Sequence, residues 1–61
     1  MTRKDYILIT HIFKENKPEG AGEGLDRWYV LAKAIGEALK DDNRDFDQPA
    51  FYRNVGADNL L

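Results

Sequence analysis

The fold is decided by residues 25–39, which read LDRWYVLAKAIGEAL. On a helix of about 100° per residue, this segment separates a charged face from an apolar one. The charged face carries Asp26, Lys33 and Glu37. The apolar face carries Leu25, Trp28, Leu31, Ala32, Ile35, Ala38 and Leu39. This pattern is typical of a helix that packs one side against a core, and it predicts a helix that begins near residues 24–26 and ends at about Asp42.

A first helix is predicted to begin after Thr2, because Thr2 and Asp5 have the spacing of a capping box. Its broad apolar face would contain Tyr6, Leu8, Ile9, Ile12 and Phe13. A strand is the alternative for residues 6–13, since several of them are β-branched. We favour the helix, because the rest of the chain offers no convincing strand to pair with this one.

Residues 17–24, KPEGAGEG, interrupt both helical patterns. Pro18 stops the preceding helix and three glycines add backbone freedom, so this segment is predicted to be a flexible connector. The glycine spacing could also suggest a phosphate-binding loop. That reading lacks the lysine followed by threonine or serine that such loops use, and it lacks a preceding buried strand.

A short third helix is predicted over Gln48–Val55. Asp47 is a good N-cap residue, and Gly56 can adopt the left-handed conformation that ends a helix. Phe46 and Phe51 have the spacing of a hydrophobic staple. Residues 57–61 are predicted to form a loose tail.

These patterns predict one all-α domain over residues 1–61, a three-helix mini-domain of two longer antiparallel helices and a short C-terminal helix that closes one end of the core. The predicted core places the second helix against the other two. Its members are Trp28, Leu31, Ile35, Leu39, Leu8, Ile9, Ile12, Phe13, Phe51 and Val55.

The composition narrows the function further. The 61 residues carry a formal charge of −2, so there is no strong basic field for nucleic acid. Apolar runs such as residues 6–9 are far shorter than the roughly 20 residues of a membrane span, and no signal-peptide pattern is present. We therefore expect a soluble cytoplasmic protein with no membrane association.

Catalysis is disfavoured, because the chain has no serine, no cysteine and one histidine. We expect His11 to be a solvated surface residue, and we predict neither a cofactor nor a metal. Residues 41–45, DDNRD, match the first ligands of a calcium loop, but Phe46 stands where that loop needs glycine and Tyr52 where it needs glutamate.

Three small helices also form the frame of helix-turn-helix proteins, so a compact DNA-binding regulator is the alternative function. The third helix could offer Gln48, Arg53 and Asn54 to base edges. The aspartates around residues 41–47 would oppose the approach of phosphates, and this disfavours nucleic acid as a partner.

Ile7 and Val30 are the aliphatic residues that fall on charged helix faces, and Tyr29 lies beside Val30. Single exposed aliphatic side chains are ordinary on protein surfaces. If the three lie together, they form an apolar patch for a protein partner or a second copy of the chain. We predict Ile7, Tyr29 and Val30 as a protein-binding site, with an unidentified protein partner and a possible homodimer. Ile7→Asp or Val30→Asp would then abolish the complex.

Both ends of the chain resemble small proteins of tailed bacteriophages and prophages. The resemblance is carried by TRKDY at residues 2–6, and by an NxxFDxxxFxxxVG pattern formed by Asn43, Phe46, Asp47, Phe51, Val55 and Gly56. It implies a phage or prophage setting in a bacterial cytoplasm and carries over no site residue. The function that we expect is a small non-catalytic accessory protein that binds a host or phage protein.

Overall fold

The computed structural model describes residues 2–61, which form three α-helices and a final 3-10 turn. Helix α1 spans Arg3–Glu15, α2 spans Glu23–Asp42 and α3 spans Gln48–Val55, and the turn spans Asp58–Leu60. No strand occurs in these residues. The predicted all-α three-helix mini-domain is confirmed, and the strand alternative for residues 6–13 is wrong. The predicted domain also includes residue 1, which lies outside the described residues.

Helix α1 begins with the predicted capping box. The Asp5 N–H donates to Thr2 Oγ1 at 3.4 Å, and the Thr2 N–H donates to Asp5 Oδ2 at 2.9 Å. These bonds satisfy backbone groups that the first helical turn leaves without a partner. The pKa of the Asp5 carboxyl lies below its usual value. The main cause is the hydrogen bond that its carboxylate accepts from the Thr2 N–H, and a hydrogen bond with the Thr2 side chain is the second.

Helix α3 has the predicted bounds and caps. Asp47 Oδ1 accepts from the Ala50 N–H at 3.0 Å, and the rings of Phe46 and Phe51 lie 5.7 Å apart across the staple. Gly56 ends the helix at φ +86°, in the left-handed region. The Ala57 N–H then donates to the Tyr52 carbonyl at 2.7 Å, which completes a Schellman motif.

This motif explains why the C-terminal end differs from the predicted loose tail. The motif turns the chain back over the last turn of α3, and Ala57 becomes fully buried. Residues 58–60 form the 3-10 turn, and Leu60 packs partly against the core. Leu61 remains exposed.

Helices α1 and α2 run antiparallel. Near the start of α1, Tyr6 Oη accepts a 3.3 Å hydrogen bond from Asn43 Nδ2, just beyond the end of α2. Near the end of α1, the ring of Phe13 lies 5.3 Å from that of Trp28, in the first turns of α2. Trp28 Nε1 also donates to the Phe13 carbonyl at 3.1 Å, and so satisfies an acceptor in the last turn of α1.

The connector between α1 and α2 is anchored at its first residue. Lys17 Nζ donates to the Gly56 carbonyl and lies 5.3 Å from the ring centroid of Trp28 and 5.6 Å from that of Tyr29. A lysine ammonium at this distance is attracted to the aromatic rings. The lysine thereby joins the end of α1, the start of α2 and the end of α3. Residues 23 and 24 of the predicted connector belong to α2, and flexibility of residues 17–22 stays a prediction.

Helix α3 packs across one side of the α1–α2 pair, and its Phe51 occupies the junction. The Phe51 ring lies 6.4 Å from Phe13 and 5.9 Å from Tyr52. Tyr52 lies against α2 at Gly36, and its hydroxyl donates to the Lys33 carbonyl at 3.3 Å. The buried core consists of Phe13, Trp28, Ala32, Leu39, Phe46, Phe51, Tyr52, Val55 and Ala57.

The predicted burial of three core residues is wrong. Leu8, Ile12 and Leu31 are 57%, 52% and 54% exposed. Tyr52 is buried, in line with the expectation that the third helix presents Phe51, Tyr52 and Val55 to the other two, and Phe46 and Ala57 are buried as well. The three exposed residues lie outside the core because α3 covers only one side of the α1–α2 pair. Within residues 2–61, no helix has both the length and the apolar character to cross a bilayer.

Candidate functional site

An open groove of about 680 Å³ lies between α1, α3 and the segment that connects α2 to α3. Its wall on α1 is formed by Arg3, Tyr6, Ile7, Thr10, His11 and Lys14. Its other wall is formed by Asn43, Asp45, Phe46, Asp47, Ala50, Phe51 and Asn54. We call this site the groove.

The floor of the groove is apolar and fixed. The ring of Phe46 lies 5.1 Å from that of Tyr6 and 5.7 Å from that of Phe51, so all three rings are held by the core. The Tyr6 hydroxyl is fixed by its bond from Asn43. Ile7 adds an aliphatic side chain that is 60% exposed. The groove therefore offers a rigid apolar surface with one prominent exposed aliphatic residue.

The two walls differ in charge. Arg3 and Lys14 stand on the α1 wall, near its two ends, and Asp45 and Asp47 stand across from it. The aspartates belong to the segment that follows α2, which meets α1 near Tyr6. The end of the groove near Tyr6 therefore carries charges of both signs with an excess of negative charge. The end near Lys14 carries positive charge.

Two polar side chains on the α1 wall make local contacts within their own helix. The Thr10 hydroxyl donates to the Tyr6 carbonyl at 2.7 Å, as helical threonines often do. His11 Nε2 lies 3.8 Å from Glu15 Oε1, and both side chains are exposed. Residues 2–61 contain no cluster of three potential metal ligands.

The segment that resembles a calcium loop has another structure. Helix α2 continues to Asp42, so the first two aspartates of the run are helical. Asn43 Oδ1 accepts from the Asp45 N–H at 3.0 Å, which forms a local turn of the kind that asparagine favours. Lys40 Nζ donates to the carbonyls of Arg44 and Phe46 and closes the turn from the other side.

A second surface lies on the opposite side of the helix pair. Leu8 and Ile12 each lie about 160° around α1 from Thr10, which lines the groove. Leu31 lies about 140° around α2 from Gly36, which contacts α3. All three are therefore on the sides of their helices that α3 leaves uncovered. We call this surface, Leu8, Ile12, Leu31 and the exposed Ala34 and Ala38, the α1–α2 apolar face.

A shared protein-binding role for Ile7, Tyr29 and Val30 stays a prediction. Ile7 lines the groove, whereas Tyr29 and Val30 do not. Tyr29 is half-buried, with its ring edge-on to Trp28 at 5.2 Å and beneath Lys17. Val30 is 70% exposed on α2.

Sequence reasoning missed two sets of residues. It placed Tyr6 and Phe46 in other roles, although they form the groove floor, and it placed Leu8, Ile12 and Leu31 in the core. The exposure of Leu8 and Ile12 had a signal in the sequence. The apolar residues of 6–13 extend around more of α1 than a third helix of eight residues can cover.

The residues that could read DNA bases are only partly available. Gln48 Nε2 donates to the Tyr52 hydroxyl at 2.7 Å, so its amide is engaged beside the core. Arg53 and Asn54 are exposed, and Asp45 and Asp47 are exposed near the start of the same helix.

No family model, curated protein or solved structure matches this chain.

Proposed function

We propose that the chain is a small non-catalytic accessory protein that binds a segment of another protein in the groove. The observation that supports this function most directly is the exposed Ile7 beside a fixed aromatic floor, between walls of different charge. Exposed apolar surface with a polar rim is typical of protein-binding sites. Because Tyr6, Phe46 and Phe51 are already ordered by the core, little ordering cost is added when a partner binds.

The dimensions of the groove favour a short peptide segment. From Arg3 to Lys14, the α1 wall spans eleven residue steps, or roughly 16 Å at the helical rise. This length matches about three turns of a partner helix, which is the usual scale for a helix that docks in a groove. The charge pattern favours a segment with acidic residues toward Lys14 and a basic residue toward Asp45 and Asp47.

The biological setting that we propose is a bacteriophage or prophage, with a host or phage protein as partner in the bacterial cytoplasm. The support for this setting is the resemblance of residues 2–6 and 43–56 to small proteins of tailed phages.

The groove can be tested by affinity capture from bacterial lysate with quantitative mass spectrometry. We expect Ile7→Asp to reduce recovery of the specific partner at least about tenfold, because it places an unpaired charge in an apolar contact. Lys14→Glu should also weaken recovery, since it reverses the charge of one end of the groove. Val30→Asp is the matched control, because it changes an exposed aliphatic residue outside the groove.

All three variants should retain the helical circular dichroism signal, because each changes an exposed side chain. Full recovery with Ile7→Asp would refute the groove as the binding site. Loss of partner recovery with Val30→Asp alone would instead favour a binding patch that contains Tyr29 and Val30.

A titration of the protein against duplex DNA at several salt concentrations distinguishes the DNA-binding alternative from the proposed protein-binding function. We expect no binding even at low salt, because the acidic residues around α3 oppose phosphate contact. Tight binding that weakens steeply as salt increases would favour the regulator.

A further inference from the structure

We infer that the α1–α2 apolar face is a homodimer interface in which α2 packs antiparallel to α2 of a second copy across a two-fold axis. This surface is distinct from the groove. Leu8, Ile12 and Leu31 are each more than half exposed, and α3 lies on the far side of both helices. A chain of this length buries a small core, so further burial in a dimer would add stability that the monomer lacks.

Helix α2 carries one large and two small apolar side chains on this surface, Leu31, Ala34 and Ala38. Arg27, Leu31, Ala34, Ala38 and Asp42 all fall within an arc of about 80° on this helix. With the axis between positions 34 and 35, Leu31 faces Ala38 of the partner subunit. Ala34 then lies next to the axis. The large Leu31 thus meets a small residue, which lets the two helices approach closely.

The charges at the two ends of this arc fit the same register. Arg27 lies near the start of α2 and Asp42 at its end, and both are exposed. The axis that pairs Leu31 with Ala38 also places Arg27 opposite Asp42 of the partner subunit. A parallel arrangement would instead bring like charges together at both ends, which is unfavourable. Arg27 is already oriented by its 2.9 Å ion pair with Glu23.

A standard interface removes about 800 Å² from each partner, which would be less than a fifth of the 4528 Å² that this chain exposes. Leu8 and Ile12, one helical turn apart, extend the contact from α2 to α1. Two copies would form a four-helix layer with each α3 outside it.

Cross-linking tests the register directly, because the native chain has no cysteine. We expect Ala34→Cys, next to the axis, to form a covalent dimer under mild oxidation, since a disulfide needs Cα atoms within about 7 Å. The matched control is Lys33→Cys, an exposed neighbour on the side of α2 that faces α3. The proposed register would be overturned if both variants cross-linked equally, or if Ala34→Cys formed no covalent dimer.

Sedimentation equilibrium over a range of concentrations tests the interface itself. We expect the native chain to dimerise, and Leu31→Glu to raise the dissociation constant at least about tenfold by placing a charge in the apolar contact. Arg27→Asp and Asp42→Arg should each weaken the dimer, and the double variant should restore it. Ile7→Asp should dimerise normally, while Leu31→Glu should keep the groove partner.

Each remaining outcome counts against the inference. A native chain that stays monomeric at every concentration overturns the dimer. A double charge swap that fails to recover affinity refutes the pairing of Arg27 with Asp42. Loss of the groove partner in Leu31→Glu, with no change in self-association, would assign this face to that partner instead of to a second copy.

Discussion

At the scale of single residues, the contact between Gly36 and Tyr52 fixes how α3 meets α2. A Cβ atom at position 36 would lie 2.6 Å from both Cε1 and Oη of Tyr52. The tyrosine ring cannot easily retreat, because it is 5% exposed and its hydroxyl bonds to the Lys33 carbonyl and to Gln48. Glycine is therefore required here by close approach of a ring, although it weakens the interior of a helix.

We expect Gly36→Ala to destabilise the protein by up to about 2 kcal/mol, because an overpacking cost of about 1–3 kcal/mol outweighs the roughly 1 kcal/mol that alanine adds to helix propensity. The matched control is Gly24→Ala in the first turn of the same helix, where no atom lies within 4 Å of the added Cβ. This control should be neutral or slightly stabilising. Urea unfolding followed by circular dichroism gives both values, and equal stability of the two variants would contradict the steric argument.

At the scale of the helices, the ends of α1 and α3 could be predicted because capping chemistry is local. Thr2, Asp47 and Gly56 each act on groups within five residues along the chain. Which apolar residues of α1 and α2 would be exposed, Leu8 and Leu31 among them, could not be predicted from their own helices. Their exposure depends on the side from which α3 approaches, and the contact of Tyr52 with Gly36 decides that side.

The candidate site, too, could be predicted only in part from the sequence. The exposure of Ile7 follows from the periodicity of α1 alone. The groove also requires Tyr6 and Phe46 to lie together, and these residues are forty positions apart in the chain. No short-range pattern contains that pairing, so the floor of the groove emerges only from tertiary packing.

The capping box of α1 should loosen in acid. Because the pKa of Asp5 is lowered in the folded chain, the contribution of its carboxylate is present above the usual value near 4 and is lost as the pH falls through the lowered folded value. NMR titration should therefore show a carboxyl midpoint below the model-peptide pKa of about 3.9 and a concurrent shift of the Thr2 amide signal.

Asp5→Asn is the control for this titration, since an amide cannot ionise in that range and the Thr2 signal should then lose its acid transition. A midpoint at or above the usual value for the native Asp5 would contradict the hydrogen-bond assignment.

At the scale of the whole molecule, cohesion depends on the aromatic contacts made by α3. Phe51 meets Phe13 of α1 and its neighbours Phe46 and Tyr52, and Tyr52 in turn meets α2. Apart from the contacts at their two ends, α1 and α2 are joined through this third helix. A helix of eight residues thus holds together two helices that are each longer than itself.

We expect Phe51→Ala to cost about 3–5 kcal/mol, which is comparable to the total stability of a domain this small. All three helices should therefore be lost in one cooperative transition rather than α3 alone. Ile7→Ala, which truncates a side chain that is 60% exposed, is the control and should change stability by less than about 1 kcal/mol. Thermal melts followed at a helical and an aromatic wavelength test this, and non-coincident melting curves would contradict a single cooperative unit.

The position of Trp28 gives the protein a built-in optical reporter. It is the one tryptophan of the chain, its indole is 6% exposed, and it touches the last turn of α1, the connector lysine and Tyr29. Opening of the helical hairpin would transfer this ring from an apolar pocket to water, and its fluorescence emission would move to longer wavelength. Conformational changes of the native chain can therefore be followed in real time without a dye, a tag or a substitution.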